Sequence, residues 1–141
     1  MSTVLTSSIS ATASPLRDSF ELAGRILLAL LFLMSGIGKI AGYEASVGYM
    51  QAMGVPGALL PATIVLEIAG AAAIMAGWKT RIAAFLLAGF TLVAAFIFHS
   101  NFGDQIQMVM FLKNVAIVGG FLMLMANGAG RYSMDSRAGA E

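Results

Sequence analysis

The sequence predicts an all-α integral membrane protein, an up-down-up-down four-helix bundle with a short interfacial helix between its first two spans. Four apolar segments each contain about 18 to 22 residues, close to the roughly 20 residues that cross ~30 Å of hydrocarbon. Only 11% of the residues are charged, about half the fraction of a typical soluble domain. No segment alternates between apolar and polar residues, so helices rather than barrel strands must satisfy the backbone inside lipid.

The four spans are predicted at residues 20–40, 59–78, 82–99 and 106–127. The connections near residues 79–80 and 100–105 are short, which makes the helices that they join antiparallel neighbours. We therefore assign residues 19–130 to one transmembrane domain, with tails at 1–18 and 131–141.

The longer connection between the first and second spans has its own helical pattern. Tyr43, Val47 and Met50 follow each other at i, i+4 and i+7, so they share one face of a helix. Gly54 and Pro56 then end that helix before the second span begins. We expect this helix to lie in the membrane interface.

Basic residues near the spans predict the orientation of the chain. The side with both termini carries six, against Lys39 alone outside a span on the other side. The six are Arg17, Arg25, Lys79, Arg81, Arg131 and Arg137. Both termini are therefore predicted to be cytoplasmic.

The Ser-rich start of residues 1–18 also resembles an organelle transit peptide, but its single arginine favours a disordered cytoplasmic tail.

The composition excludes several classes of function. A net charge of +1 without a basic cluster argues against nucleic-acid binding. The absence of cysteine excludes disulfides, thiolate metal sites, iron–sulfur clusters and thiol redox chemistry. One histidine cannot build a multi-histidine zinc or di-iron site. We therefore expect no metal site and no metal cluster.

Two opposite charges are predicted inside the membrane. Glu67 lies in the middle of the second span, on a face with the small or polar residues Thr63 and Gly70, and its burial requires pairing or protonation. Lys113 enters the fourth span to a similar depth, so we expect the two to pair, unless Lys113 extends to the headgroups. Glu67 is either a proton-carrying or ligand-binding carboxylate or half of a structural ion pair.

Two more basic residues bracket the first span. Arg25, Ala29, Phe32, Gly36 and Lys39 advance by four, three, four and three residues and form one stripe. The stripe predicts that this face contacts other helices, which would turn both basic residues inward. The alternative is that both charged groups extend outward to the two membrane surfaces.

The single histidine, His99, ends the third span on a similar stripe. The small or polar residues before it on that face are Ala84, Ala88, Thr91 and Ala95. An interior imidazole there could relay protons or donate a hydrogen bond to a carbonyl ligand, whereas the alternative is an ordinary interfacial histidine. Asn114, next to Lys113, adds an amide at the same end of the bundle.

Five short motifs, taken together, resemble the DoxX family. They are SGIGKIAGY at 35–43, LE at 66–67, GWKTR at 77–81, FHSNF at 98–102 and FLKN at 111–114. The resemblance covers about residues 20–135 and is greatest for the small YqjF-like inner-membrane proteins of bacteria.

The resemblance implies four transmembrane helices in the bacterial cytoplasmic membrane and an association with redox biology. Relatives are linked to thiosulfate–quinone oxidoreductases, to quinone stress and to membrane-bound oxidative-stress complexes. The family has no settled catalytic residues, so none is transferred to this chain.

These observations lead to one functional hypothesis and one rival. The hypothesis is a redox accessory protein that binds a quinone-like or aromatic molecule between the helices and acts in oxidative or quinone stress. Its ligand-binding or proton-relay candidates are Glu67, Lys113, His99, Asn114, Lys39 and Arg25. No electron carrier is evident, so an oxidoreductase role would require a bound cofactor, with a quinone as the candidate, or a partner redox enzyme. The rival is a non-catalytic scaffold or assembly subunit, and a homo-oligomer is compatible with either.

Overall fold

The computed structural model describes residues 14–139, which form helices joined by short turns and contain no strand. In chain order the helices are α1 (Pro15–Ala41), α2 (Tyr43–Ala52), a 3-10 turn (Gly57–Leu59), α3 (Leu60–Ala76), α4 (Thr80–Phe98), α5 (Gln105–Asn127) and α6 (Met134–Arg137). Four of them, α1, α3 with its preceding turn, α4 and α5, are long and apolar enough to cross a membrane. The predicted all-α fold class with four spans is confirmed.

The first helix begins earlier than the sequence indicated. Pro15 occupies the first turn, and the Ser14 hydroxyl accepts a hydrogen bond from the Arg17 backbone N–H. Pro at this position is favoured because the first backbone N–H groups of a helix have no partner within it. Residues 15–18 are therefore helical, which corrects that part of the predicted disordered tail. The rest of that prediction, residues 1–13, lies outside the described residues.

The spanning helices pack in a ring. α1 contacts α3, α3 contacts α4, and α4 contacts α5. Phe32 on α1 and Phe121 on α5 close the ring with their ring centroids 5.4 Å apart. At Gly36 an added Cβ would lie 2.6 Å from Ile68 Cγ1, so only glycine allows α1 and α3 to approach this closely.

The stripes predicted from the sequence face the interior. The buried residues of α1 include Arg25, Ala29, Phe32 and Gly36, and those of α4 include Ala84, Ala88, Thr91 and Ala95. The helices therefore have the rotations that the residue spacing indicated.

The two ends of the bundle differ in construction. The α2 end carries α2, the start of α3 and the connection between α4 and α5. The terminal end carries the start of α1, the α3–α4 turn and the C-terminal segment. At the terminal end α3 stops at Gly77, which adopts a left-handed conformation with φ of +66°. That conformation places the end of the second span two residues before the predicted limit.

The C-terminal segment packs against the bundle as far as it is described. Arg25, only 2% exposed, donates from Nη1 to Ile74 O at 3.1 Å and from Nη2 to Tyr132 O. The backbone N–H of Asp135 donates to Gly77 O at 2.8 Å. We call residues 128–137, with these contacts, the C-terminal clasp. The segment predicted as a tail from residue 131 therefore includes α6 and a docked turn.

Candidate functional site

A cavity of about 490 Å³ lies among the helices at the α2 end of the bundle. All five longer helices contribute to its wall. Four of the predicted site residues line it: Glu67, Lys39, His99 and Asn114. Most of the remaining wall is aromatic or aliphatic, and includes Phe32, Tyr49, Met50, Phe90, Ile97 and Phe98. The volume lies within the range of about 300–1,000 Å³ that small-molecule sites occupy.

Glu67 is the most deeply buried polar group of the cavity and is held by α1. Lys39 Nζ lies 3.0 Å from Glu67 Oε2 and 3.1 Å from Oε1. Ser35 Oγ donates to Oε1 at 3.0 Å and accepts from Lys39 Nζ at 2.7 Å. The three side chains form a closed network, which offsets the cost of burying a carboxylate within the bundle, where the Glu67 residue is only 3% exposed.

The predicted pairing of Glu67 with Lys113 is wrong. Lys113 is exposed on α5, and its neighbour Asn114 is the residue that faces the cavity. Successive residues of a helix are about 100° apart, so both side chains cannot point to the same neighbour. Lys39 takes the place assigned to Lys113 because its long side chain extends inward from the end of α1.

His99 is half-buried at the end of α4 and contacts the start of α5. Its Nδ1 lies 2.9 Å from Gln107 Oε1. The other ring nitrogen, Nε2, has no hydrogen-bond partner among residues 14–139, so it is available to a ligand. Nε2 donates or accepts according to the tautomer of the ring, so the donor role expected from the sequence stays a prediction.

Asn114 is the second polar group of the cavity that remains available to a ligand. Its side-chain amide makes no hydrogen bond within the described part of the chain, although the residue is half-buried. Thr91, also in the wall, already donates to Leu87 O at 2.7 Å in its own helix. Asn114 therefore supplies both a donor and an acceptor, whereas Thr91 contributes little more than shape.

The short helix α2 forms one side of the cavity. Met50 is buried, and the Tyr49 ring stacks on Phe98 with centroids 5.2 Å apart and planes at 23°. This contact joins α2 to α4 next to His99. The predicted helix in the 43–52 region is confirmed, and its packing makes it part of the cavity wall.

Arg25 lies apart from this cavity. Its guanidinium group binds the last carbonyl oxygens of α3 at the terminal end, within the C-terminal clasp. Cations at a helix C-terminus complement the negative end of the helix dipole. The inward orientation considered from the sequence is correct for Arg25, and the residue does not line the cavity.

The sequence analysis did not identify three residues of the site: Ser35, Tyr49 and Gln107. Ser35 precedes Lys39 by four residues, and this spacing could have indicated that both lie on one helix face. Gln107 lies in the first turn of α5, a short connection after His99, so a contact between the two helix ends could have been expected. The stacking of Tyr49 depends on the angle between α2 and α4, which no local pattern encodes.

The polar side chains of the cavity suit an uncharged polar ligand better than a metal ion. No group of three or more His, Cys, Asp or Glu side chains within residues 14–139 is placed to hold a metal. The one carboxylate of the cavity is already neutralised by Lys39. What remains is an apolar chamber with the second imidazole nitrogen of His99 and the amide of Asn114.

Comparisons with known proteins agree with this architecture. The DoxX family model matches residues 20–100. Inner membrane protein YqjF of Escherichia coli is 51% identical over 120 residues, which is 85% of this chain and 92% of the relative. Inner membrane protein YphA of the same organism is 38% identical over 128 residues, or 86% of this chain and 91% of the relative. A surfeit locus protein 4 homolog of Schizosaccharomyces pombe is 27% identical over 128 residues, but the match covers 38% of that protein. No solved structure matches the chain.

Proposed function

The chain belongs to the DoxX family of multi-pass inner-membrane proteins, and from this premise we propose that it binds a quinone-like or other small aromatic molecule in the cavity at the α2 end. We further propose that it acts as a redox accessory protein in resistance to quinone or oxidative stress. The observation that carries the proposal is the convergence of Glu67, Lys39, His99 and Asn114 on one largely apolar cavity.

The polar groups of the cavity are compatible with a ring that carries carbonyl or hydroxyl groups. The Asn114 amide can donate to a carbonyl oxygen, and His99 Nε2 can form a hydrogen bond with a carbonyl or a hydroxyl group according to its tautomer. Phe32, Phe90 and Phe98 supply the apolar and aromatic surface that such a ring requires. Because a quinone and its quinol differ in these hydrogen-bonding groups, the site could bind both oxidation states.

This proposal assigns no electron transfer to the side chains themselves. A quinone would supply the redox chemistry when bound, and its electrons would come from a partner enzyme or a second cofactor. The residues of this chain would orient the ring through hydrogen bonds from Asn114 and His99. The protein is therefore proposed as a binding and positioning subunit for membrane redox chemistry.

The direct test is binding of a soluble quinone, decylubiquinone, to the purified protein in detergent. We expect saturable binding by calorimetry that His99→Phe and Asn114→Leu each weaken about tenfold or more, as expected for the loss of one hydrogen bond to a buried ligand. The matched control is Lys113→Gln, which changes the neighbour of Asn114 but lies outside the cavity. Equal affinities in all four proteins would contradict the site assignment.

The cellular test separates ligand binding from folding. Membrane abundance and survival under benzoquinone are compared for wild type, His99→Gln and a deletion strain. The proposal expects a sensitive deletion strain and partial or complete loss of protection by a His99→Gln protein of normal abundance. Survival of the deletion strain at the wild-type level would contradict the proposed role in quinone stress.

A second candidate function is a non-catalytic scaffold or assembly subunit. The observation in its favour is that Lys39, Ser35 and Glu67 satisfy one another across α1 and α3, as a structural ion pair would. Native mass spectrometry of protein extracted from membranes distinguishes the two. A bound aromatic or quinone mass supports ligand binding, whereas a stable partner protein without such a mass supports the scaffold.

A further inference from the structure

A second cavity, of about 620 Å³, lies on the opposite side of α3 from the Glu67 network, between α3 and α4. Along α3 it extends over the outside of the bundle from Pro61 to Trp78 and Lys79, and α4 lines its terminal part through Ile82, Ala83 and Leu86. Seventeen residues of helical rise correspond to about 25 Å, which is most of the hydrocarbon thickness. We call this cavity the α3–α4 groove.

The groove is almost entirely apolar. Small residues of α3, including Ala69 and Ala73, form its floor, and the large exposed side chains of Val65 and Leu86 form its edges. Water is a poor occupant for such a surface, because a buried water needs about two to four polar partners. In a bilayer the available apolar occupant of matching shape is a lipid acyl chain.

Charge is concentrated at the terminal end of the groove. The Lys79 ammonium lies 5.3 Å from the centroid of the half-exposed Trp78 ring. Within residues 14–139 no carboxylate lies within ion-pair distance of it, and the Asp135 carboxylate binds the backbone N–H groups of Lys79 and Thr80. Lysine and tryptophan side by side are typical of the headgroup level of a membrane protein.

We propose that the α3–α4 groove binds an anionic phospholipid of the surrounding bilayer, with one acyl chain along α3 and α4 and the phosphate beside Lys79. The apolar floor of the groove explains why an acyl chain binds there. The Lys79 ammonium, which has no carboxylate partner in the described structure, explains the preference for a negatively charged headgroup. This site is separate from the α2-end cavity and does not rest on the proposed function.

The test uses Trp78, the only tryptophan in the chain, as a built-in reporter of the lipid in the groove. The protein is reconstituted in mixed vesicles of phosphatidylglycerol and phosphatidylcholine, with brominated acyl chains on one lipid or the other. Bromine quenches tryptophan fluorescence at contact, so the quenching ratio gives the relative affinity next to Trp78. One basic residue at a membrane surface is worth about 1 kcal/mol, so we expect about a fivefold preference for phosphatidylglycerol.

Three variants assign the preference to this groove. Lys79→Gln should bring the ratio to about one, and its backbone contact with Asp135 remains. Ala69→Phe, which fills the floor, should reduce quenching by both lipids, whereas Ala72→Phe, on the exposed face of the same helix outside the groove, should not. Quenching by each lipid in proportion to its mole fraction in wild type would overturn the proposal. A preference that survives Lys79→Gln would also overturn it.

Discussion

At the scale of single residues, the stability of the α2 end depends on how one buried carboxylate is neutralised. Glu67 forms an ion pair with Lys39 and accepts a hydrogen bond from the Ser35 hydroxyl. Each carboxylate oxygen therefore has a cation or a hydrogen-bond donor beside it. The side chain of Lys39 is 28% exposed, whereas the side chain of Glu67 is only 4% exposed. Removing Lys39 should therefore cost more than removing the carboxylate, because it leaves a buried negative charge behind.

The first prediction is a double-mutant cycle on this pair. Breaking a buried ion pair costs about 3–5 kcal/mol, and the partial exposure of Lys39 favours the lower end of that range. Lys39→Met and Glu67→Gln should each lower the free energy of unfolding in detergent, and the double variant should recover much of the loss. Lys113→Met should have a small effect and should add independently to Glu67→Gln. Additive losses at Lys39 and Glu67 would show that the two side chains do not interact.

The same residues show how far a site can be predicted from one sequence. Burial of Glu67 and inward orientation of His99 followed from residue spacing, because small side chains mark the packed face of each helix. The choice between Lys39 and Lys113 did not follow, because a lysine side chain can extend several ångströms along a helix in either direction. The rotation of α5 about its axis could not be predicted either, because α5 carries apolar residues on all of its faces.

At the scale of secondary structure elements, α4 obtains its N-terminal cap from a distant part of the chain. Its own N-cap residue, Lys79, has a positive φ of 45° and offers no side-chain hydrogen bond. Asp135 supplies the cap instead, with Oδ1 2.7 Å from Lys79 N and Oδ2 2.9 Å from Thr80 N. A carboxylate at this position satisfies free N–H groups and complements the helix dipole.

The second prediction concerns the pH dependence of this cap. Burial by itself would raise the pKa of Asp135, but hydrogen bonds from Thr80 and Lys79 and the charge of Arg25 hold it below its usual value. The stabilisation is therefore fully present above the unfolded-state pKa of about 4 and is lost as the pH falls through the lower folded value. Asp135→Asn loses the charge at the start of α4 and one of the two acceptor oxygens, so it should cost about 0.3–1 kcal/mol near neutral pH, and the difference from wild type should shrink on acidification.

Thermal unfolding in detergent between pH 3 and pH 7 measures that difference. The control is Glu44→Gln, which removes an exposed carboxyl that has no hydrogen-bond or ion-pair partner in the described structure. A constant offset between wild type and Asp135→Asn across the pH range would argue against a titrating cap.

Helix ends were harder to predict than helix faces. The faces of α1 and α4 follow from residues three and four apart, which is a local property. The end of α3 at Gly77 and the start of α4 depend on Arg25 and Asp135, which are distant in sequence. The motif at 77–81 is therefore explained by contacts that only the folded chain brings together, and the short sequence around Asp135 gave no sign that it would dock there.

At the scale of the whole molecule, the two ends of the bundle have separate tasks. The α2 end encloses the cavity with the Glu67 network, whereas the terminal end holds the C-terminal clasp and most of the basic residues. Lys79, Arg81, Arg131 and Arg137 are exposed there. At the α2 end Lys39 is turned inward and paired with Glu67, which strengthens the asymmetry of exposed charge between the two ends.

This asymmetry gives the last prediction, that both termini are cytoplasmic. Exposed lysine and arginine residues next to short connections are retained on the cytoplasmic side, and here they cluster at the terminal end. The chain contains no cysteine, so wild type already serves as the background for single-cysteine labelling. A cysteine in place of the exposed Asn101, at the α2 end, should react with a membrane-impermeant maleimide in spheroplasts. A cysteine in place of Ser136 should react only after the membrane is opened, and that second labelling is the control for reactivity. The reverse pattern would place the α2-end cavity on the cytoplasmic side and would show that the basic residues do not determine the orientation.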